Sequence, residues 1–420
     1  MKTMIAIDEA LALIRAQCTP LPVERIALRH ARGRVLAAPV DAPRALPPFD
    51  NAAMDGFALR WHAGLGAGSV LPVLAEQAAG DGKAGQTFGA CSIMTGARIP
   101  DGLDTVVPVE DCTVLAHDEQ GRALGIALST AVRHGQHLRR AGEDVALGER
   151  VLEAGTRLSD EALMVLRGIG VAELAVHRRP RLALACTGRE LVDTDGAELA
   201  PGQIVNTNGP YLESLFTEAG AELVERLTLP DEPALLAAQF RRWFDAGIDL
   251  VVSTGAVSMG RYDFVPEVLR ELGATLHFHK LKMRPGKPLL FASAGRSLVF
   301  GLPGNPVSST VGARFFVDAA IRRLSGLDAA RPLQVALAGA ARKKPGFAMF
   351  QKAALRLDTD GRLAVQLLHG QESFKTAPLL AANAWAVLPE GAESLAAGTL
   401  VPVHPLRPGH HGFLLDSPPC

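Results

Sequence analysis

Apolar and polar positions change rhythm three times along the chain. Residues 7–17 carry apolar positions at helical spacing, with Asp8 and Glu9 near the positive end, so a short amphipathic helix is expected. Residues 39–48 hold four prolines and predict an extended crossing rather than regular structure. From 45 to 138 short β-like runs alternate with frequent glycines, the pattern of a mostly β module. Residues 159–168 then read as a helix: Ser159 can cap it and Gly168 stops it.

From Arg181 strands and helices alternate. Strands are expected at 182–185, 248–252 and 297–300, with a further apolar run at 288–292. Helices are expected at 209–219 behind Asn208, at 231–245, at 264–272, and at 306–324 behind Asn305. Such alternation predicts an α/β domain built on a doubly wound parallel sheet, with ligands beyond the carboxyl ends of its strands. From about 331 the rhythm changes again. Residues 353–357 and 363–367 flank Asp358-Thr359-Asp360-Gly361, a hairpin signal, and 384–388 and 400–403 look like strands. A small C-terminal β-barrel or sandwich follows from this.

Length and charge narrow the class. A chain of 420 residues holds several domains, and a net charge of −1 gives no bulk pull toward nucleic acid or membrane. Residues 1–19 lack the basic and apolar regions of a signal peptide, and no apolar run approaches a membrane span. The cysteines Cys18, Cys91, Cys112, Cys186 and Cys420 are scattered, so a reducing cytoplasmic setting is expected.

Candidate chemistry gathers in loops. STGAVSMG (253–260), RPGKP (284–288) and GLPGNPVSS (301–309) adjoin apolar runs, and small residues let backbone approach a ligand. The first offers Ser253, Thr254, Gly255, Ser258 and Gly260, with Asp263 beyond it. The second lies among Lys280, Lys282, Arg284 and Lys287, where Pro285, Pro288 and Gly286 stiffen a cationic run suited to oxyanions. A basic run is ordinarily a solvated face. The third offers Pro303, Gly304 and Asn305 before a helix N-terminus carrying Ser308 and Ser309.

Upstream, PPFDNAAMDGFA (47–58) holds Asp50 and Asp55, which suit Mg²⁺; more ordinarily, Asp50 and Asn51 cap a turn. TGARIPDG (95–102) presents Thr95, with a plain turn as the better reading of it alone. In RRAGEDVALGE (139–149), Arg139, Arg140, Glu143 and Asp144 can pair with one another, or Asp144 can face a metal or substrate. LACTGREL (184–191) puts Thr187 and Gly188 after a strand with Glu190 at its mouth, and the Thr187/Glu190 spacing also fits a capping box. The histidines assemble no zinc pattern, and Cys186 reads as buried and inert.

In this order, these motifs, with MRPGKP at 283–288, resemble the molybdopterin molybdenumtransferase family, which includes the E domain of gephyrin. The likeness runs from about residue 8 to 403. It implies an elongated subunit: a linker domain (1–44 plus 138–177), an inserted mostly β domain (45–137), a three-layer α/β molybdopterin-binding domain (178–327) and a C-terminal β domain (328–420). It implies a homodimer with the site between one chain's α/β domain and its partner's β domain. Contacts with the pathway's adenylyltransferase and with molybdoenzyme chaperones are also implied.

The implied reaction inserts molybdate into adenylylated molybdopterin and releases AMP, with Mg²⁺. Asp55, Asp144, Glu190 and Asp263 would hold Mg²⁺ or position water, Lys280, Arg284 and Lys287 would hold phosphate and molybdate, and Thr95 falls on a further functional position. The α/β loops would cradle the pterin. Competing expectations are a non-enzymatic relative that carries molybdopterin or its adenylate, and an adenylyltransferase or pyrophosphatase acting on nucleotides.

Several positions depart from the family pattern. Ala256 stands where a second glycine is usual, Cys186 replaces a serine, Arg189 replaces an acidic residue, Asn206 stands for Asp, and Arg284 stands where Lys is common. A family stretch G-R-x-E-F-x-R reads Gly346-Phe347-Ala348-Met349-Phe350-Gln351-Lys352, without the first Arg and the Glu. If that Arg holds molybdate, Lys352, Arg342 or Lys343 is expected to substitute, or activity to weaken. G-Q-G-S appears as Gly370-Gln371-Glu372-Ser373, which keeps the serine but adds a negative charge.

Overall fold

The computed structural model describes residues 1–82, 88–194, 196, 198–256, 264–358 and 360–408. The expectations placed on Ser258, Gly260 and Asp263 lie outside them. Two compact units divide the chain: Met1–Glu24, Gly33–Ala37 and Ala175–Cys420 form one, Arg25–Arg32 and Ala38–Leu174 the other.

The first unit is built on a seven-stranded sheet. Its order, edge to edge, is Lys2–Ile5, Thr275–Leu281, Leu290–Ala294, Ser297–Leu302, Leu250–Thr254, Arg181–Thr187 and Glu222–Leu229. Among these seven, Leu290–Ala294 alone is antiparallel to its neighbours. The expected all-parallel sheet is therefore mixed. Leu290–Ala294 and Ser297–Leu302 form a tight hairpin across Gly295, which leaves no room for a crossover helix.

Period-two alternation divides the core. Leu182, Leu184, Leu250, Val252 and Phe300 face one layer with Leu212, Phe216, Val311 and Phe316. Ala183, Ala185, Val251 and Val299 face the other with Leu236, Phe240, Val265 and Leu269. The long helix expected at 306–324 is present but interrupted: Pro306–Gly312 and Asp318–Leu324 flank a π turn at Ala313–Val317. Asn208 begins the Asn208–Ala219 helix rather than capping it, and the buried Asn206 accepts the Gly209 N–H at 3.0 Å instead.

A closed five-stranded barrel completes this unit. Leu333–Leu337, Leu363–Leu367, Ala348–Leu357, Ala384–Leu388 and Leu400–Pro405 close through the pairing of Ala348–Leu357 with Ala384–Leu388. Phe350 and Trp385 reach from the barrel into the α/β core, and the Phe315 ring packs 4.5 Å from that of Phe350.

The second unit carries a six-stranded sheet ordered Thr105–Pro108, Gly56–Leu59, Ala90–Ile93, Val70–Gln77, Ala123–Leu128 and Cys112–His117. The proline-rich crossing pairs twice, Val40–Asp41 with Arg150–Leu152 and Leu46 with Val145. Ser159 caps the Asp160–Gly168 helix as expected, accepting the Ala162 N–H at 3.2 Å.

Candidate functional site

Strand direction brings four loops to one edge of the α/β sheet. The loops after Arg181–Thr187, Leu250–Thr254, Thr275–Leu281 and Ser297–Leu302 all leave carboxyl ends of mutually parallel strands. The antiparallel strand helps here: it returns the RPGKP segment from that same edge into the sheet.

Close backbone contacts knit these loops. The Gly255 N–H donates to the Leu302 carbonyl at 3.1 Å, and the Thr187 hydroxyl donates to the Thr254 carbonyl at 3.1 Å. Gly255 has φ +91°, and a Cβ there would lie 2.6 Å from the Thr187 carbonyl oxygen. The next residue, Ala256, is also left-handed (φ 49°), so the family's glycine at that position has a steric reason. Asn208 Nδ2 donates to the Gly304 carbonyl at 2.8 Å and ties the Pro303-Gly304-Asn305 turn to the neighbouring helix. Gly286 has φ +95° and lies against Met283 and the Ser308 carbonyl, so RPGKP packs on the start of the 306–312 helix. The Arg284–Pro285 peptide is cis.

Charge is unevenly satisfied along the cationic run. Lys282 pairs with Glu390 at 3.1 Å. Among the described residues Lys280, Arg284 and Lys287 make no ion pair, and Arg284 and Lys287 are exposed. Lys280 sits at φ 75°, a strained backbone position for a residue with a Cβ. Its N–H still pairs with the Leu289 carbonyl at 2.9 Å, so the loop enforces the conformation. Among the described residues, buried Ser253 Oγ has no hydrogen-bond partner.

Glu190 sits at the mouth of its strand, its carboxylate folded over Gly188. The capping-box reading fails there, because Leu191–Val192 is a strand paired with Ile204–Val205. Cys186 is buried, and burial pushes its thiol up, as an inert cysteine requires.

The other anion-binding expectations change. Of the amides at the 306–312 helix start, that of Val307 is occupied by the Ser373 carbonyl at 3.0 Å. The Ser309 hydroxyl is spent on the Pro303 and Asn305 carbonyls, while Ser308 is buried. Lys352 and Lys343, the expected substitutes for the missing Arg, are both engaged by backbone carbonyls. Lys352 is 0% exposed and its ammonium donates to the carbonyls of Glu372 at 3.3 Å and Lys375 at 2.9 Å. Lys343 donates to those of Phe347 at 2.9 Å and Glu390 at 3.1 Å. Arg342 alone of the three remains exposed on its strand. The added charge of Glu372 is neutralised by Lys375 at 2.9 Å, whose hydrogen bond also lowers the Glu372 pKa.

In the second unit Asp55 and Thr95 meet: the Thr95 N–H donates to Asp55 Oδ1 at 2.6 Å. That bond, with the Thr95 hydroxyl, holds Asp55 below the usual carboxylate range. Arg140 and the Ala141 N–H bind Asp50 at 2.8 and 2.7 Å, and Glu143 accepts the Arg140 N–H. Asp144 stays exposed. Among the described residues no group of three His, Cys, Asp or Glu side chains is placed to hold a metal. Asp55 and Asp144 belong to one unit and Glu190 to the other. Sequence reasoning missed two residues here: Asn208 as a loop tether, and Phe347, whose ring faces Arg284 and Lys287.

The class is thus an α/β domain whose sheet edge suits an anionic, phosphorylated ligand, carrying a closed five-stranded barrel. The family descriptions "MoeA N-terminal region (domain I and II)", "Probable molybdopterin binding domain" and "MoeA C-terminal region (domain IV)" match residues 5–170, 183–323 and 334–406 in turn. The chain is 38% identical to a molybdopterin molybdenumtransferase of Synechococcus elongatus over 414 residues, covering 96% of this chain and 100% of that one. It is 33% identical to that of Haemophilus influenzae, covering 96% and 99%. A crystal structure of the molybdopterin biosynthesis moeA protein from Pyrococcus horikoshii OT3 superposes with a TM-score of 0.76 at 28% identity, covering 96% and 99%. The chain belongs to the molybdopterin molybdenumtransferase family of molybdenum cofactor biosynthesis.

Proposed function

We propose that this chain inserts molybdate into adenylylated molybdopterin with release of AMP. One observation carries the reading: four loops at one sheet edge accompany three cations that make no ion pair among the described residues. Unspent cations beside close-approaching backbone suit a ligand bearing phosphate and a tetrahedral oxyanion. Thr187, Gly188, Ser253, Thr254, Gly255, Pro303, Gly304, Asn305 and Ser308 would line the pterin-phosphate cradle, joined by Ser258 and Gly260. Ser373 would border it. Lys280, Arg284 and Lys287 would hold phosphate and molybdate. Such a reaction depends on positioning and charge more than on a protein nucleophile, which agrees with the inert Cys186.

Mg²⁺ would neutralise phosphate charge when bound. The exposed or half-exposed carboxylates Asp55, Asp144 and Glu190 are oxygen donors of the right hardness, and Mg²⁺ needs only one or two beside phosphate oxygens. With Asp263 they form the proposed donor set. The family resemblance carries a homodimer into the same reading, with Asp55, Thr95 and Asp144 of one chain serving the α/β edge of the other. The four-domain division given above, a cytoplasmic location, and contacts with the adenylyltransferase and molybdoenzyme chaperones belong to the same reading. No helix among the described residues is long and apolar enough to cross a membrane.

The test is incubation with adenylylated molybdopterin, Mg²⁺ and molybdate while AMP is followed. Molybdate-dependent AMP release is expected, and Asp263→Ala is expected to lower turnover roughly tenfold or more. Tight binding without molybdate-dependent release would assign the chain to a carrier role instead.

A further inference from the structure

The barrel sends one aromatic ring into the cationic run. Phe347 ends a turn that is held from behind: Lys343 Nζ donates to the Phe347 carbonyl at 2.9 Å, and the Gly346 N–H donates to Glu390 O at 3.1 Å. It is held in front as well. Met283–Arg284 pairs in parallel with Ala348–Met349, the Ala348 N–H donates to the Lys282 carbonyl at 2.9 Å, and Lys282 pairs with Glu390 at 3.1 Å. The backbone that carries the ring is therefore fixed relative to the segment bearing Arg284 and Lys287. The Arg284 guanidinium carbon lies over it at 4.8 Å from its centroid, and Lys287 Nζ at 5.9 Å. Both distances fall within cation–π range.

Long cationic side chains are mobile, and ordering them when an anion binds costs affinity. A π face attracts each cation without consuming an N–H donor. Among the described residues no acceptor takes the Arg284 N–H groups, and Lys287 has no carboxylate partner. A carboxylate at the same place would order the cations too, but would also neutralise them.

We propose that Phe347 is a positioning residue of the oxyanion cradle: its ring gathers Arg284 and Lys287 into a preformed pair that binds a tetrahedral oxyanion. The proposal rests on the function given above for the identity of that anion as molybdate. It replaces the expectation that another cation takes over at this place. The barrel contributes order to the cations already present.

The experiment uses the full chain and molybdate alone as the probe, titrated calorimetrically into wild type, Phe347→Leu and Phe347→Tyr. Phe347→Leu is expected to bind molybdate about fivefold to tenfold more weakly and Phe347→Tyr close to wild type, with thermal midpoints unchanged. In an Arg284→Ala/Lys287→Ala background, Phe347→Leu is expected to have no further effect, which a purely structural ring would not produce. In turnover, the molybdate KM rises and kcat is kept. Wild-type affinity in Phe347→Leu, or equal loss in Phe347→Tyr, overturns the proposal. If wild type releases no AMP yet its molybdate affinity depends on Phe347, the insertase reading fails and this one stands. If AMP is released and Phe347→Leu is unaffected, the reverse holds.

Discussion

Lys287 at the α/β edge and Lys352 in the barrel both lie where a family of oxyanion enzymes would want a cation, yet the fold uses them oppositely. Lys287 is exposed and makes no ion pair among the described residues, so its charge is available to a ligand. Lys352 is 0% exposed, burial lowers its pKa, and the carbonyls of Glu372 and Lys375 take its ammonium. Those bonds anchor the 372–375 turn, whose Ser373 carbonyl caps the Val307 N–H. A lysine therefore serves as ligand or as brace according to whether backbone acceptors reach it before solvent does.

The contrast can be broken most forcefully at the brace. Lys352→Met leaves two carbonyls without their donor in a buried place and should cost about 3 kcal/mol by urea denaturation, while folded protein keeps its molybdate affinity. A large affinity loss with full stability would make Lys352 a ligand after all.

Next in size is the barrel's docking seam, where His404 packs edge-on against Phe315 at 4.9 Å. Burial, assisted by the charge of Arg314, pulls its pKa down to about 4. The folded state thus keeps His404 neutral while the unfolded chain takes up a proton below its ordinary value. Stability from this group is fully present above about pH 6.5 and is lost as pH falls toward 4, by about 3 kcal/mol in all. Denaturation of wild type and His404→Leu across that range checks it: the variant should lose this slope.

Lys287→Ala should weaken molybdate binding about tenfold, or about 1.4 kcal/mol, and leave unfolding unchanged, the mirror image of Lys352→Met. Unaltered affinity would return the run to an ordinary solvated face. The smallest effect belongs to Ala256→Gly. Relief of the left-handed strain, partly offset by glycine's greater chain entropy, should stabilise by about 0.5–1 kcal/mol. A loss of stability would show that the Ala256 methyl packs usefully.

Most of the architecture was legible because periodicity reports burial. Leu182–Cys186 and Leu250–Val252 are apolar on both faces and became central strands, and Ser159 marked a helix start that exists. The antiparallel Leu290–Ala294 strand was not legible as such, since direction depends on which strand it finds as a neighbour. The π turn at Ala313–Val317 leaves no mark in apolar spacing. At the site, the loops were visible as small-residue runs, and the charges as types. Which charges remain unspent was not visible. Asn206 looked like a lost acidic contact but holds Thr228 and the Gly209 N–H, and Lys343 looked like a spare cation but braces the Phe347 turn. Phe347 itself read as the loss of a charge, because a cation–π contact joins residues about sixty positions apart that only the barrel's docking brings together.

On the proposed reading the anion is held by the α/β edge beneath Phe347 and not by the barrel's lysines. Crystals soaked in tungstate, an oxyanion of the same shape, locate it directly by anomalous scattering. A tungsten peak is expected within hydrogen-bonding reach of Arg284 and Lys287, weakened in Phe347→Leu crystals. A peak at Arg342, or beside a Lys352 turned out of its carbonyls, would contradict it.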